Sequence, residues 1–221
     1  MHGPYRREMM RSILLACLSA LAAGCVSAAE APCPAGDEWA AGGFENSGAM
    51  RQVKPQYRNR LAAKKSGITV ITIAEPREVV AVDRQGVVVI PGIFHTGDFD
   101  YPTAVQGVGR FRLVGKCGYF NTTTFRTLVS AEYAQCQPFH AGEALACKDC
   151  ERYCTEVDCQ NSTVVGGQGF VFDAKGKMRR KFALPKLEDA CGRAGVAQVT
   201  REGRATPYLR CKEDPDSPFK L

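Results

Sequence analysis

Four cysteines in thirteen residues, Cys147-x2-Cys150-x3-Cys154-x4-Cys159, are the densest group of reactive side chains in this sequence. Thiols at such spacing can hold a metal, exchange electrons or pair as disulfides. Structural zinc sites usually combine two short-spaced cysteine pairs across a long gap, and only one Cys-x2-Cys stands here. A redox Cys-x-x-Cys calls for a strand–helix–strand setting of the thioredoxin kind, and no such pattern surrounds Cys147. The segment is polar, so it buries too little surface to offset a backbone ordering cost of about 1–2 kcal/mol per residue. Cross-links must hold it. Disulfides are the simpler reading, with a metal-binding or thiol redox module at Cys147, Cys150, Cys154 and Cys159 as the alternative.

Little else in the chain has the makings of catalysis. Beyond the N-terminus the histidines are His95 and His140, about 45 residues apart. No Gly-x-Ser-x-Gly, P-loop or dinucleotide glycine pattern occurs, nor a Cys-x-x-Cys-His haem attachment sequence. The expectation is therefore no catalytic residue, no enzyme activity and no cofactor. Asp98, Asp100 and Tyr101 read as a capped turn with some cation or carbohydrate character. Lys175, Lys177, Arg179, Arg180 and Lys181 read as a solvated turn and strand edge rather than a nucleic-acid patch, so no nucleic-acid partner is expected.

The N-terminus sets the compartment. Arg6, Arg7 and Arg11 form a basic head, followed by an uncharged run from Ile13 to Gly24 and a cluster of small residues. That run is too short to span roughly 30 Å of hydrocarbon as a helix, which makes it a signal peptide rather than a permanent anchor. Leu21-Ala-Ala-Gly-Cys25 resembles the lipobox of bacterial lipoproteins, which implies a lipid on Cys25 and a membrane tether. Ala22 stands where leucine is usual, so cleavage after Ala28 or Ala31 remains the other route. Arg6-Arg7 also resembles a twin-arginine signal, although Met9 and Met10 are plausible starts that would delete it. Without its first 25 residues the chain loses three arginines and one glutamate, and its net charge falls from +6 to +4.

Eleven cysteines fit this export. Cys17 lies in the signal and Cys25 at the lipid site, which leaves an odd nine. The disulfide candidates are Cys136, Cys147, Cys150, Cys154, Cys159, Cys191 and Cys211, with Cys33 and Cys117 outside that set. At least one thiol must stay unpaired or pair with another chain.

The elements that must position these residues are strands. Ile68–Ile73, Val79–Val82, Val87–Ile90, Phe111–Val114, Phe170–Phe172 and Val196–Val199 are short β-branched or aromatic runs. Asp83-Arg-Gln-Gly86, Asp173-Ala-Lys-Gly176 and Arg201-Glu-Gly203 supply turns between them. Leu184–Ala194 can hold one short helix or 3₁₀ turn. The class is all-β with minor helix, preceded by the signal segment.

The runs repeat. Val80–Gly86 matches Val171–Gly176, with Tyr119–Thr124 a weaker copy. Gly142–Ala146 matches Gly195–Val199 at an offset of 53, against 52 for Asn121 and Asp173. At Gly115-Lys-Cys-Gly-Tyr-Phe-Asn121 and Gly166-Gly-Gln-Gly-Phe-Val-Phe-Asp173 the sequence resembles the WG-repeat (KWG) proteins of bacteria, with Cys117 in place of the signature tryptophan. The resemblance implies stacked short antiparallel β-meanders, none able to bury its own apolar face alone. The chain is expected to divide into a signal (1–25), a linker (26–52), a repeat domain (53–200) that the resemblance covers, with a cysteine-rich insertion (148–165), and a C-terminal hairpin or tail (201–221). Gly118, Gly142 and Gly195 are expected at equivalent turns or strand edges. The function implied is a non-catalytic binding or structural module, exported to the periplasm, tethered to the outer membrane and facing an unidentified envelope partner. Substituting Cys25 by Ser is expected to move the protein from the membrane fraction to the soluble periplasmic one; a wild-type protein already soluble would place the cleavage at Ala28 or Ala31 instead.

Overall fold

The computed structural model describes residues 38–47, 50–61, 66–95, 106–156, 158–201, 203 and 205–212, all within the unit Cys33–Leu221. The described chain opens with β1 (Glu38–Trp39) and a hairpin of β2 (Phe44–Ser47) and β3 (Met50–Val53). The first meander is β4 (Ile68–Ile73), β5 (Glu78–Asp83) and β6 (Val88–Ile90), with β1 added in parallel beside β4. The second is β7 (Val108–Leu113), β8 (Lys116–Asn121) and β9 (Thr127–Tyr133). Next, β10 (Gln135–Cys136) pairs with β11 (Glu143–Lys148), and the chain leaves that sheet to make a hairpin of β12 (Glu151–Cys154) and β13 (Ser162–Val165). It returns as β14 (Gln168–Asp173) and β15 (Met178–Ala183), which complete the third meander on β11. After 3₁₀ turns at Leu187–Asp189 and Gly192–Ala194, β16 (Val196–Thr200) and β17 (Tyr208–Lys212) form the last hairpin. The all-β class holds.

The middle strand of each meander carries the packing. In β5, β8 and β14 four consecutive residues are buried between two partly or fully exposed ends. Side chains alternate across a strand, so a continuous buried run has core on both faces. Val80 and Val82 of β5 face Trp39, Phe44 and Val53, while Val79 and Ala81 face Phe111 and Phe120 of the second meander. Strand β8 repeats the arrangement: Phe120 joins that core, whereas Cys117 and Tyr119 join Phe139, Phe170 and Phe172 of the third sheet. The meanders are thus stacked, and each interlayer core draws on two of them. A fully buried Val, Ile or Phe contributes about 1.5–3 kcal/mol, so no single meander could bury enough by itself.

The turn after each middle strand is built the same way. Asp83 Oδ1 accepts from the N–H of Gln85 (3.0 Å) and Val87 (2.9 Å), and Asp173 Oδ1 accepts from Lys175 and Lys177 at 2.9 Å each. Gly86 and Gly176 follow at φ 85° and 78°, where a Cβ is strained. Asn121 does the same one residue longer, accepting from Thr123 and Thr124, with Phe125 at φ 54°. The backbone N–H of Lys177, then that of Lys175 and the Arg179 guanidinium, hold the Asp173 carboxyl below the usual carboxylate range.

Two boundaries differ from the sequence reading, and the insertion takes part in a larger sheet. The segment 26–52 is not a linker from residue 38 onward, because Trp39 and Phe44 fill the first core at 5% and 7% exposure. Insertion 148–165 lies between β11 and β14, and its β12 meets β17 in parallel at Cys154 and Tyr208, giving a sheet ordered β13-β12-β17-β16. The C-terminal hairpin begins at Val196, so a boundary at 200 cuts through it.

Gly142 and Gly195 do lie at positive φ before strands, at 87° and 113°. Gly118 does not; it sits inside β8. Strand β9 bulges over it, advancing from Val129 to Tyr133 while β8 steps back only from Tyr119 to Cys117. A Cβ on Gly118 would strike the backbone of Val129, Ser130 and Ala131. An ordinary mid-strand glycine is stabilised by alanine. Here Gly118→Ala is expected to lower stability by about 1–3 kcal/mol in urea denaturation, and a gain in stability would refute the close approach.

Candidate functional site

The four disulfides among the described residues come first, because they hold the layers that shape the surface. Cys117 of β8 pairs with Cys136 of β10, joining the second and third sheets across their shared core. Cys191 pairs with Cys211 of β17, and Cys147–Cys150 and Cys154–Cys159 close short loops of the insertion. By loop-closure entropy the two spans of about 20 residues contribute roughly 3 kcal/mol each, and the two short ones nearer 2 kcal/mol. All seven candidate cysteines are in disulfides. Cys117, outside the candidate set, is in a disulfide as well, and its partner lies in a different sheet.

The insertion's four sulfurs are therefore engaged in two separate bonds rather than converging on one point. Among the described residues no group of three or more His, Cys, Asp and Glu side chains is placed to hold a metal ion. His95 follows the first meander and His140 sits on the turn before β11. Cys25, Cys33, Asp98, Asp100 and Tyr101 lie outside the described residues. The basic run is a turn and strand edge as expected: Arg179 pairs with Asp173 at 2.8 Å, Arg180 with Glu143 at 3.4 Å, and Lys181 lies 5.4 Å from the Phe170 ring centre.

Sequence reasoning missed a cleft of about 610 Å³ where the first and second meanders meet. One wall is Val88 and Val89 of β6 with Pro91; the other is Phe111, Arg112 and Leu113 of β7. Thr127, Ser130 and Ala131 of the bulged β9 also line it, so the bulge over Gly118 shapes the cleft. Arg51 and Glu78 bring a buried-edge ion pair. Glu78 Oε1 also accepts from the N–H of Gly92 at 3.2 Å, and the Arg51 guanidinium stacks 4.6 Å from the Phe44 ring centre. With their charges matched, these two side chains serve as fixed structure. What remains to meet a ligand is a set of apolar side chains with Thr127, Ser130 and Arg112, whose guanidinium lies 5.1 Å from the centre of the Phe94 ring. A volume of this size lies within the range of small-ligand sites, about 300–1,000 Å³.

The cleft mouth carries an unusual turn. Val114 follows Leu113 at the tip of the β7–β8 hairpin, 92% exposed, with φ 46°. A β-branched side chain in the left-handed region is a backbone outlier. Leu113 and Met50, 50% and 57% exposed, also line the cleft. The sequence reads Phe111–Val114 as a uniform strand; Gly115, at φ 72°, is the natural turn residue, and Val114 joins it there against its own preference.

The fold and its four disulfides define a disulfide-stabilised all-β protein of an oxidising, extracytoplasmic environment. Among the described residues no helix is long and apolar enough to cross a membrane. No family model matches the chain, and no curated protein or solved structure is significantly similar to it, so its role must be argued from its own geometry. Alkylation of the folded protein without reductant is expected to leave Cys117, Cys136, Cys147, Cys150, Cys154, Cys159, Cys191 and Cys211 unlabelled. Labelling of the insertion's four thiols on addition of a chelator, with release of zinc, would replace the disulfides with a metal site.

Proposed function

We propose that this chain is an exported, non-catalytic binding module of the bacterial envelope, tethered to the outer membrane from its periplasmic side by a lipid on Cys25, and that it receives its partner at the cleft between the first two meanders. The observation that carries this reading is the Leu113-Val114 tip. A hairpin turn serving only the fold is best made by Asn-Gly or another pair at home at positive φ. Here a strained, almost wholly exposed valine stands beside exposed Leu113 and Met50 at the mouth of a cleft. Strain of about 1–3 kcal/mol and solvent-exposed apolar surface both disfavour the free protein, and a partner that covers the tip offsets the second of these.

The likeness of Gly115–Asn121 and Gly166–Asp173 to WG-repeat units supports the same reading, since stacked repeats present extended surfaces between their layers. The lipobox-like Leu21–Cys25 supports the tether.

Purified mature protein is expected to bind the apolar probe N-phenyl-1-naphthylamine saturably, read as fluorescence enhancement. The pair Leu113→Thr with Val114→Asn should raise the melting temperature, by relieving the turn, and weaken probe binding by about tenfold, the loss of roughly 1.4 kcal/mol of apolar contact. Unchanged probe affinity in this pair would take the binding role away from the tip and the cleft.

A further inference from the structure

A second surface adjoins the cleft, shares Arg112 with it, and is charged rather than apolar. Arg110 of β7 is partly buried, with its guanidinium 4.7 Å from the centre of the Phe94 ring. Arg112, two residues along and on the same face of the strand, places its own guanidinium 5.1 Å from that ring. Arg110 Nη1 donates to the carbonyl oxygen of Cys136 at 3.1 Å, which fixes the plane of the group at the disulfide-linked junction of the second and third sheets. A guanidinium has five N–H donors, so most of its capacity remains open to a ligand.

The charge around Arg110 is the wrong sign for a structural ion pair. Burial pushes its pKa down, the buried Tyr119 hydroxyl opposes that, and the nearby cation of Arg152 on β12 pushes it down again. No carboxylate among the described residues is paired with Arg110, Arg112 or Arg152. Partial burial of a cation beside a like charge is costly and is normally found with an anion between them. Tyr119 cannot be that anion at neutral pH. Its hydroxyl lies 2.9 Å from the Gln137 oxygen and 3.1 Å from the Leu145 oxygen, and burial, the main cause, raises its pKa.

We infer that Arg110 and Arg112, organised on Phe94, form together with the neighbouring Arg152 a binding site for a phosphate group. Three guanidiniums suit an anion of more than one charge, and the planar donor forks of arginine match phosphate oxygens in pairs. The Phe94 ring and the Cys136 carbonyl hold two of the forks before the ligand arrives, which lowers the ordering cost of binding. A phosphate monoester on a small molecule and a phosphate on a lipid headgroup present the same chemistry to this site.

The test uses inorganic phosphate on the mature protein, by titration calorimetry at constant ionic strength with chloride as the control anion. Saturable binding of phosphate over chloride is expected. Arg152→Gln, an exposed position whose loss leaves the fold intact, should weaken it about tenfold or more, the effect of removing one charge-assisted contact. The melting temperature of Arg152→Gln without phosphate should match that of the wild type. Arg110→Gln should also lose binding. Sedimentation with phosphatidic acid vesicles separates the two sources: capture that phosphate competes away assigns a lipid headgroup, and phosphate binding without capture assigns a small phosphate ester. The site is overturned if phosphate binds no better than chloride or if Arg152→Gln binds as well as the wild type. It is overturned too if binding emerges only in an Asp98→Asn, Asp100→Asn double variant, because the chain's own loop would then be the anion. None of these outcomes depends on the apolar probe, so this site and the cleft stand or fall separately.

Discussion

A strand with core on both faces cannot be displaced by one residue without moving every side chain into the wrong layer. Strands β5, β8 and β14 are all of this kind, and each lends alternate residues to two different cores. Val79 and Val80 are neighbours in sequence yet pack against different parts of the molecule. The same holds for Tyr119 and Phe120. The meanders therefore depend on one another, and the Asp83, Asn121 and Asp173 turns set the register in which each middle strand ends.

The covalent cross-links reinforce the weakest parts of this arrangement. The junction of second and third sheets is aromatic, with Tyr133 edge-on to Phe170 and Phe172 at 5.3 and 5.5 Å, and Cys117–Cys136 joins its two sides. The last sheet is thinner: β12 and β17 share the paired position Cys154 with Tyr208, and among the described residues the core beneath holds four buried side chains. Disulfides at Cys154–Cys159 and Cys191–Cys211 sit on either side of that contact, where apolar burial is least able to offset chain entropy.

Both candidate binding surfaces arise where adjoining layers fail to match. The β9 bulge needs a glycine beneath it, and by widening the strand it helps form the cleft against β6. On β7, Phe111 and Leu113 turn towards the first meander and the cleft, while Arg110 and Arg112 turn the other way onto Phe94. One strand thus supplies an apolar surface from one face and a cationic surface from the other.

Much of the local structure was legible in the sequence. The β-branched run Ile68–Ile73 is β4 to the residue, and Asp83–Gly86 and Asp173–Gly176 are the turns they read as, because strand propensity and turn chemistry act over a few neighbouring residues. The four 147–159 cysteines could be assigned to disulfides for the same reason: their loops are short and polar. Only the tertiary structure decided which cysteine meets Cys136, that Trp39 and Phe44 belong to a core instead of a linker, that β12 joins the C-terminal hairpin, and that Gly118 underlies a bulge. Each of these turns on residues brought together from different elements. The composition of a segment such as 38–52, rich in glycine and alanine, carries no record of the apolar face waiting for it on β5. Local preference is written in consecutive residues, whereas the choice of partner is made by the packing of whole layers.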